Sequence, residues 1–558
     1  MIRILACCLL LSLGVSAQGN AYPQNYFRNP LAIPILLAGN FGECRPGHFH
    51  SGIDIKTEGR ENLPVFAAAE GYISRIKLEP GGFGHAIYIT HPNGYTTLYA
   101  HLNDFFPALQ KLVHAEQYAH LSWTLDLRFT PDQFPVSKGQ WIAQSGNTGG
   151  STAPHLHFEI RNTQTEHPLN PQLFGFAIQD NIAPKPSAIA IYDAQKSVYE
   201  QKPLQFKLQA NEGQYAPEDS IVVCSSKQIN LALAVNDFMN LSDNTLSIYT
   251  AEWYLNDSLQ GKLTLDDIGY DETRYLNACA DYKLHHELGT WYNYLFVLPN
   301  NQLTRLYTQL KNERGYIQLA EHNKVRIVLQ DNSGNTTTVR FDLQYKESNS
   351  VANCSNLWQA AKQNQIATPN VTMQLSPNSL YDAICFEFQK SNQAQALSSR
   401  YQLHQAYVPL HQYIDLSIKP ERVVPFALNR KIVLVYHDGA KQSAKAAQLS
   451  NAWYTASVRN FGAYWLAVDT TAPTIKSMQK QGIVMLPGKV LRFKISDNYT
   501  SVKKCTATIN GQWLCLEQHE EDWFYVIDEH CPKGKNKLEL VAVDENGNER
   551  KMSFLFTY

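Results

Sequence analysis

The sequence predicts an all-β protein of several domains. Strand-like strings rich in Val, Ile, Tyr and Phe recur along it, and aromatic residues reach 11% with 30 Tyr. The string KVRIVLQDNSGNTTTVRFDLQY from Lys324 recurs without a gap as KLELVAVDENGNERKMSFLFTY from Lys537. A chain of 558 residues also exceeds what one hydrophobic core sustains.

From the N-terminus, MIRILACCLLLSLGVSAQ has an early Arg3, an apolar run and a small-x-small end at Val15-Ser16-Ala17. This reads as a secretory signal peptide over residues 1–17. Cys7 comes too early to serve as a lipid-attachment cysteine. The apolar run is too short to cross a bilayer, and no later stretch approaches the roughly 20 apolar residues of a transmembrane span. The expected location is outside the cytoplasm: periplasm, cell envelope or medium. A net charge of −2 with 18% charged residues and no basic patch argues against nucleic acid as a partner.

Next comes a pair of histidine motifs. HFHSGIDI carries His50 and Asp54, and TAPHLHFEI carries His155 and His157. Residues two or four apart on an extended strand share a face. His50 therefore joins Asp54, and His155 joins His157. Gly52 is expected to leave room between the first two. Gly146, Gly149 and Gly150 in SGNTGGSTAP supply turn chemistry ahead of the second motif. His50, Asp54 and His157 are of the type a catalytic zinc takes, with a fourth position left for water or substrate.

The strings HFHSGIDIKT, LPVFAAAEGYISRI, GGFGHAIYITHPNGYTTLYAHL and VSKGQWIAQSGNTGGSTAPHLHFEI stand in this order between about Phe41 and Arg161. Together they resemble the lysostaphin-type, or LytM-type, zinc metallopeptidases that cut peptidoglycan cross-links. The resemblance implies an antiparallel-sheet peptidase domain with His50, Asp54 and His157 as Zn2+ ligands. It makes His101, in YAHL, and His155 the non-ligand catalytic histidines. Either imidazole suits proton transfer or oxyanion stabilisation near neutral pH, and the choice of general base stays open.

Other histidines give no rival site. HExxH is absent, HHELGTW near His286 lacks the second histidine of that motif, and His114 and His120 in HAEQYAH have the wrong spacing. His48 reads as a loop residue or an outer contact of the site, and Cys44 as a packed or free thiol. The segment between Leu102 and Lys138 is longer than in compact family members. Apolar residues at helical spacing predict a helix over about 107–122. That insertion reads either as a wall or lid of the groove or as a surface elaboration.

Beyond the peptidase domain the alternating strings around Asp-x-x-Gly-Asn predict the last hairpin of a β-sandwich, twice. DNIAPKPSAIAIY at Asp180 and DTTAPTIKSM at Asp469 predict a Pro-bearing linker and first strand, also twice. These modules loosely resemble immunoglobulin-like modules of bacterial exported proteins. The expected division is 1–17 signal peptide, 18–176 peptidase, 177–345 β-sandwich, 346–468 β-rich middle domain and 469–558 immunoglobulin-like sandwich. His404 and His411 in the middle domain read as packing residues. Of ten cysteines, Cys505, Cys515 and Cys531 crowd one segment, where a local bridge is expected.

The resulting expectation is a zinc metalloendopeptidase hydrolysing peptide cross-links of bacterial peptidoglycan. Its substrates would be peptide stems or cross-bridges, either D-alanyl links to a diamino acid or glycine-rich bridges. The β-domains would place it on the wall or meet an envelope protein partner. A fragment from about Gln18 to Phe176 holds all five residues and is expected still to cleave small soluble peptides, provided it folds without the sandwich that follows. The alternative is an inactive peptidase-like module that binds or activates another cell wall hydrolase.

Overall fold

The structure, a computed structural model, describes residues 22–211, 213–219, 221–346 and 354–558. The expected signal peptide lies outside the described residues. The chain is all-β, with mostly antiparallel sheets. Among the described residues no helix is long and apolar enough to cross a membrane.

The first sheet carries the strands that matter for the site: β1 (Leu37–Gly39), β2 (Ile53–Lys56), β3 (Gly71–Leu78), β4 (His85–Thr90) and β5 (Tyr95–Ala100). After helix α1 (Pro107–His120) come β6 (Leu125–Arg128) and β7 (His155–Asn162). The order across the sheet is β1-β2-β7-β5-β4-β3-β6. Two-residue alternation sorts the side chains. Ile53 and Ile55 of β2 and Leu156, Phe158 and Ile160 of β7 are fully buried in one core. Asp54, His157 and Glu159 consequently face the other way.

The insertion places β6 at the far edge of this sheet, paired with β3, away from β2 and β7. Helix α1 starts with Pro107 at its first turn and ends at Leu121 in the left-handed region (φ 48°). It buries Leu109, Val113 and Gln117. Its Tyr118 stacks on His530 of the C-terminal sandwich at 3.6 Å between ring centroids. The insertion thus joins two domains rather than covering the histidines. His85 adds an ionic contact to Glu517 at 3.4 Å.

The first sandwich contains β8 (Lys185–Asp193), β9 (Gln228–Met239), β10 (His322–Gln330) and β11 (Thr336–Tyr345). β8 pairs with β9, and β10 with β11, both antiparallel. It is joined firmly to the peptidase sheet. Met239 and Leu246 enter the peptidase core. The Ser242 hydroxyl donates to the Leu37 carbonyl (2.9 Å), and Asn40 exchanges two hydrogen bonds with Ser247. The middle segment has two five-stranded sheets, whose core runs on into that of the first sandwich. The final sandwich packs a four-stranded and a five-stranded sheet around its own core. It includes β12 (Thr474–Ser477), β13 (Val490–Ser496), β14 (Lys535–Asp544) and β15 (Glu549–Thr557). Both repeated strings form the hairpins β10–β11 and β14–β15.

The cysteines differ from expectation. The disulfide is Cys354–Cys385, in the middle segment. Cys505, Cys515 and Cys531 are free, because the β-ladder sets Cys505 opposite Ala542 and not opposite another cysteine. Cys44 is also free and points its thiol at Asn293. His411 stacks on Tyr275, and His404 is buried against Phe461.

Candidate metal centre

The site forms because β2 and β7 are neighbours in register. His157 stands directly across from Asp54, with Ala100 of β5 on its other side. His50, just before β2, folds over the same face. His157 Nδ1 lies 2.8 Å from Asp54 Oδ1, and His50 Nε2 lies 3.1 Å from the same oxygen. The two ring nitrogens are 3.0 Å apart. All three residues are buried, with at most 5% exposure. Gly52 acts differently from the expectation. A Cβ there would meet the Phe158 carbonyl at 2.4 Å, so its bareness admits strand β7 rather than an ion.

Each donor is held from behind. His50 Nδ1 donates to the Asn40 carbonyl (2.8 Å), leaving Nε2 to face the cluster. His157 Nε2 donates to Glu159 Oε1 (2.8 Å). Glu159 is fully buried and is the hub of the backing. Its Oε1 also accepts from the Ser51 hydroxyl (2.6 Å), and Oε2 accepts from Arg161 Nε (2.6 Å). Tyr270, from the first sandwich, donates its hydroxyl to Glu159 and accepts from Arg161 Nη2 (2.8 Å). Arg45 donates to Asp54 Oδ2 at 2.6 Å, which leaves Oδ1 for the cluster.

The electrostatics ask for a cation between these groups. Burial pushes His157 down, but Asp54 and Glu159 outweigh it and hold the imidazolium up at about 9. Burial pushes His50 down to about 4. Against their own burial, the histidines hold Asp54 well below the usual carboxylate range, and Arg161 and His157 do the same for Glu159. Without a metal, the proton on His157 supplies the positive charge. Two imidazole nitrogens and one carboxylate oxygen converging within about 3 Å, each oriented by an outer hydrogen bond, fit a metal ion in its place.

His101 and His155 stand beside the cluster. Their ring centroids are 4.7 Å apart, and His101 is 5.9 Å from His157. His101 follows β5 in the left-handed region (φ 58°), and its backbone N–H donates to the Phe83 carbonyl. Its Nδ1 lies 2.8 Å from the Thr148 carbonyl, and His155 Nδ1 lies 2.8 Å from the Ala153 carbonyl. A carbonyl only accepts, so each Nδ1 carries a proton and each Nε2 is the nitrogen left to face the cluster. His155 Nε2 is 3.4 Å from Asp54 Oδ1. Burial, with His157 and His155 alongside, pushes His101 down to about 3. The Gly-rich turn presents Thr148. Gly149 adopts φ 74°, and its amide neighbourhood is pressed against Gly84, where a Cβ would stand 2.2 Å from that amide nitrogen.

The five residues singled out from sequence therefore meet in one place. His48 is exposed on the rim, and His114 and His120 stay on α1. The backing residues were missed. Glu159 and Arg161 share the face of His157 by strand alternation, so the pattern HFEIR could have found them. Arg45 and Tyr270 carry no such signal.

Residues 48–118 and 110–171 match the model of peptidase family M23, and residues 355–469 match that of a Zu5-like domain. A metalloprotease of Haemophilus influenzae, described as uncharacterized, is 31% identical over 168 residues, covering 28% of this chain and 30% of the other. DD-carboxypeptidase/endopeptidase Mpg of Neisseria meningitidis is 37% identical over 122 residues, 22% of either chain. The chain thus spans less than a third of the length of the curated relatives it matches. The catalytic domain of the antimicrobial peptidase lysostaphin from Staphylococcus simulans aligns at 25% identity and a TM-score of 0.18, covering 24% of this chain and 85% of that one.

Proposed function

We propose, for a chain whose residues 48–171 form a peptidase family M23 domain of the LytM type, that it is a zinc-dependent endopeptidase. Its substrate is the peptide part of bacterial peptidoglycan, and it works in the cell envelope or outside the cell. The observation that carries this reading is the convergence of His50, Asp54 and His157, with two non-ligating histidines on the same side. The names of the matched relatives, among them peptidoglycan DD-endopeptidase ShyA of Vibrio cholerae, support the substrate class.

His50 Nε2, Asp54 Oδ1 and His157 Nδ1 would hold the zinc. When bound, the ion supplies Lewis acidity, which makes water acidic enough to ionise near neutral pH and polarises the scissile carbonyl. Asn40 and Glu159 fix the two imidazoles, so no reorientation is needed on loading. With Nδ1 engaged by a backbone carbonyl, His101 and His155 each have Nε2 available for proton transfer, and the neutral ring would accept the proton released by the attacking water. The ring that takes it becomes a donor for the departing amine, and the other stabilises developing negative charge. Arg45 occupies Asp54 Oδ2 and so leaves Oδ1 turned toward the cluster.

The deciding experiment is mass analysis of purified peptidoglycan after digestion with zinc-loaded protein. Cleavage between peptide residues is expected, and the fragment masses name the bond. Uncut sacculi with a full zinc equivalent bound would leave the alternative, a module that binds or activates a separate hydrolase.

A further inference from the structure

Outside the peptidase site, two groups of three aspartates recur at equivalent places in the two sandwiches. The first is Asp180, Asp237 and Asp331; the second is Asp469, Asp497 and Asp544. In each trio the first member sits in the linker entering the sandwich, within Asp-x-x-Ala-Pro. The second lies near the end of the strand that pairs with the first strand: Asp237 in β9, Asp497 just after β13. The third opens the turn of the last hairpin, β10–β11 or β14–β15. The framing bonds repeat too. Asn335 donates to the Asp180 carbonyl and to Asp331 Oδ2, and Asn548 does the same to Asp469 and Asp544.

Four of the six aspartates are buried and Asp180 and Asp497 are half-buried; turn amides donate to Asp180, Asp331, Asp469, Asp497 and Asp544, yet several carboxylate oxygens stay unmet. Asp237 is 3% exposed, Asp331 1%, Asp469 1% and Asp544 0%. Asp237 Oδ1 meets no hydrogen-bond donor, nor does Asp469 Oδ2 or Asp497 Oδ1. Among the described residues no Lys, Arg or His makes an ion pair with any of the six. Lys431, whose field reaches Asp469, bonds the Asn546 carbonyl instead. Burying unpaired carboxylates together is costly unless something positive joins them. In line with this, burial and the neighbouring Asp331 push Asp237 up to about 8. Burial likewise raises Asp180 to about 6.

We infer that each trio is a calcium site, and that the two sites clamp the linkers entering the sandwiches. The donors are all oxygen, which favours a hard cation over zinc or copper. Within each trio the converging oxygens lie within 4.8 Å of one another. One ion with Ca–O bonds of about 2.3–2.6 Å spans such a group, and calcium accepts the irregular shell that three carboxylates from separate segments offer, whereas magnesium demands a strict octahedron. Backbone carbonyls and water complete the shell in such sites. Each ion would tie a linker to its sandwich: the linker leaving the peptidase domain at Asp180, and the one leaving the middle segment at Asp469.

The test uses the full chain with its zinc content monitored throughout. Equilibrium dialysis after passage over a chelating resin should show about two calcium equivalents, and calcium should raise the melting temperature by about 5 °C or more. Magnesium at equal concentration should do less. Asp237→Asn and Asp497→Asn should each remove one equivalent while leaving zinc bound. Either variant suffices if the other does not fold. If wild-type protein binds no calcium and melts at the same temperature with and without it, the proposal is overturned. The same holds if both variants keep two equivalents. Zinc content and wall cleavage are read separately, so this result stands apart from the peptidase reading.

Discussion

The Tyr270 hydroxyl donates to Glu159, the carboxylate that orients His157 from behind. Tyr270 belongs to the first sandwich, so a second domain completes the outer shell of the His50–Asp54–His157 cluster. Glu159→Gln is expected to weaken zinc binding or turnover about 10–100-fold, the usual effect of losing such a partner. Tyr270→Phe should do less, because Ser51 and Arg161 still hold Glu159. A zinc titration comparing both variants with wild type checks this. Wild-type affinity and turnover in Glu159→Gln would remove the backing role.

The ligand set is tested by His157→Ala. Two remaining donors make a poor site, so less than a tenth of an equivalent of zinc is expected to survive desalting, as an order-of-magnitude figure. Metal analysis showing a full equivalent would sink the assignment of His50, Asp54 and His157.

His101→Ala and His155→Ala should separate chemistry from binding. Both keep the three ligands and are expected to retain zinc. Turnover on peptidoglycan should fall roughly 10²–10⁴-fold in each. Near-normal hydrolysis by either would take that histidine out of the mechanism.

Zinc loading should depend on pH with a definite sign. His157 is held up at about 9 by Asp54 and Glu159, and its proton must leave before Nδ1 binds a metal. Apparent zinc affinity is therefore expected to fall about tenfold per unit as pH drops below about 9. Competition titrations across that range measure the slope, and a flat profile would contradict it. Stability of the metal-free protein runs the opposite way. The folded value lies above the ordinary one of about 6.5, so the contribution is complete below that pH. It is lost as pH rises through about 9.

A fragment ending at Phe176 should be a poor peptidase, contrary to what the motif positions alone suggest. It lacks Tyr270 and the Ser242 and Ser247 bonds, and it strips Met239 and Leu246 from the peptidase core. Each lost apolar side chain removes about 1.5–3 kcal/mol of burial. Low soluble yield and weaker zinc binding than the full chain are expected. A soluble fragment with full zinc affinity would show the domain to be self-sufficient.

Two kinds of information separate cleanly in this chain. The amino-acid order alone determined the β class, the two repeated hairpins, the helix beginning at Pro107 and the five candidate site residues. Those features rest on local period, turn chemistry and residue type, which neighbours along the chain are enough to set. Only the tertiary structure decided that Tyr270 and Arg45 belong to the centre, that the insertion meets the last sandwich, and that Cys354 bonds Cys385. It also decided that six aspartates scattered between 180 and 544 gather into two trios. These contacts join segments far apart in sequence, and burial in a shared core brings them together. No local pattern records which distant side chain a folded sheet will face.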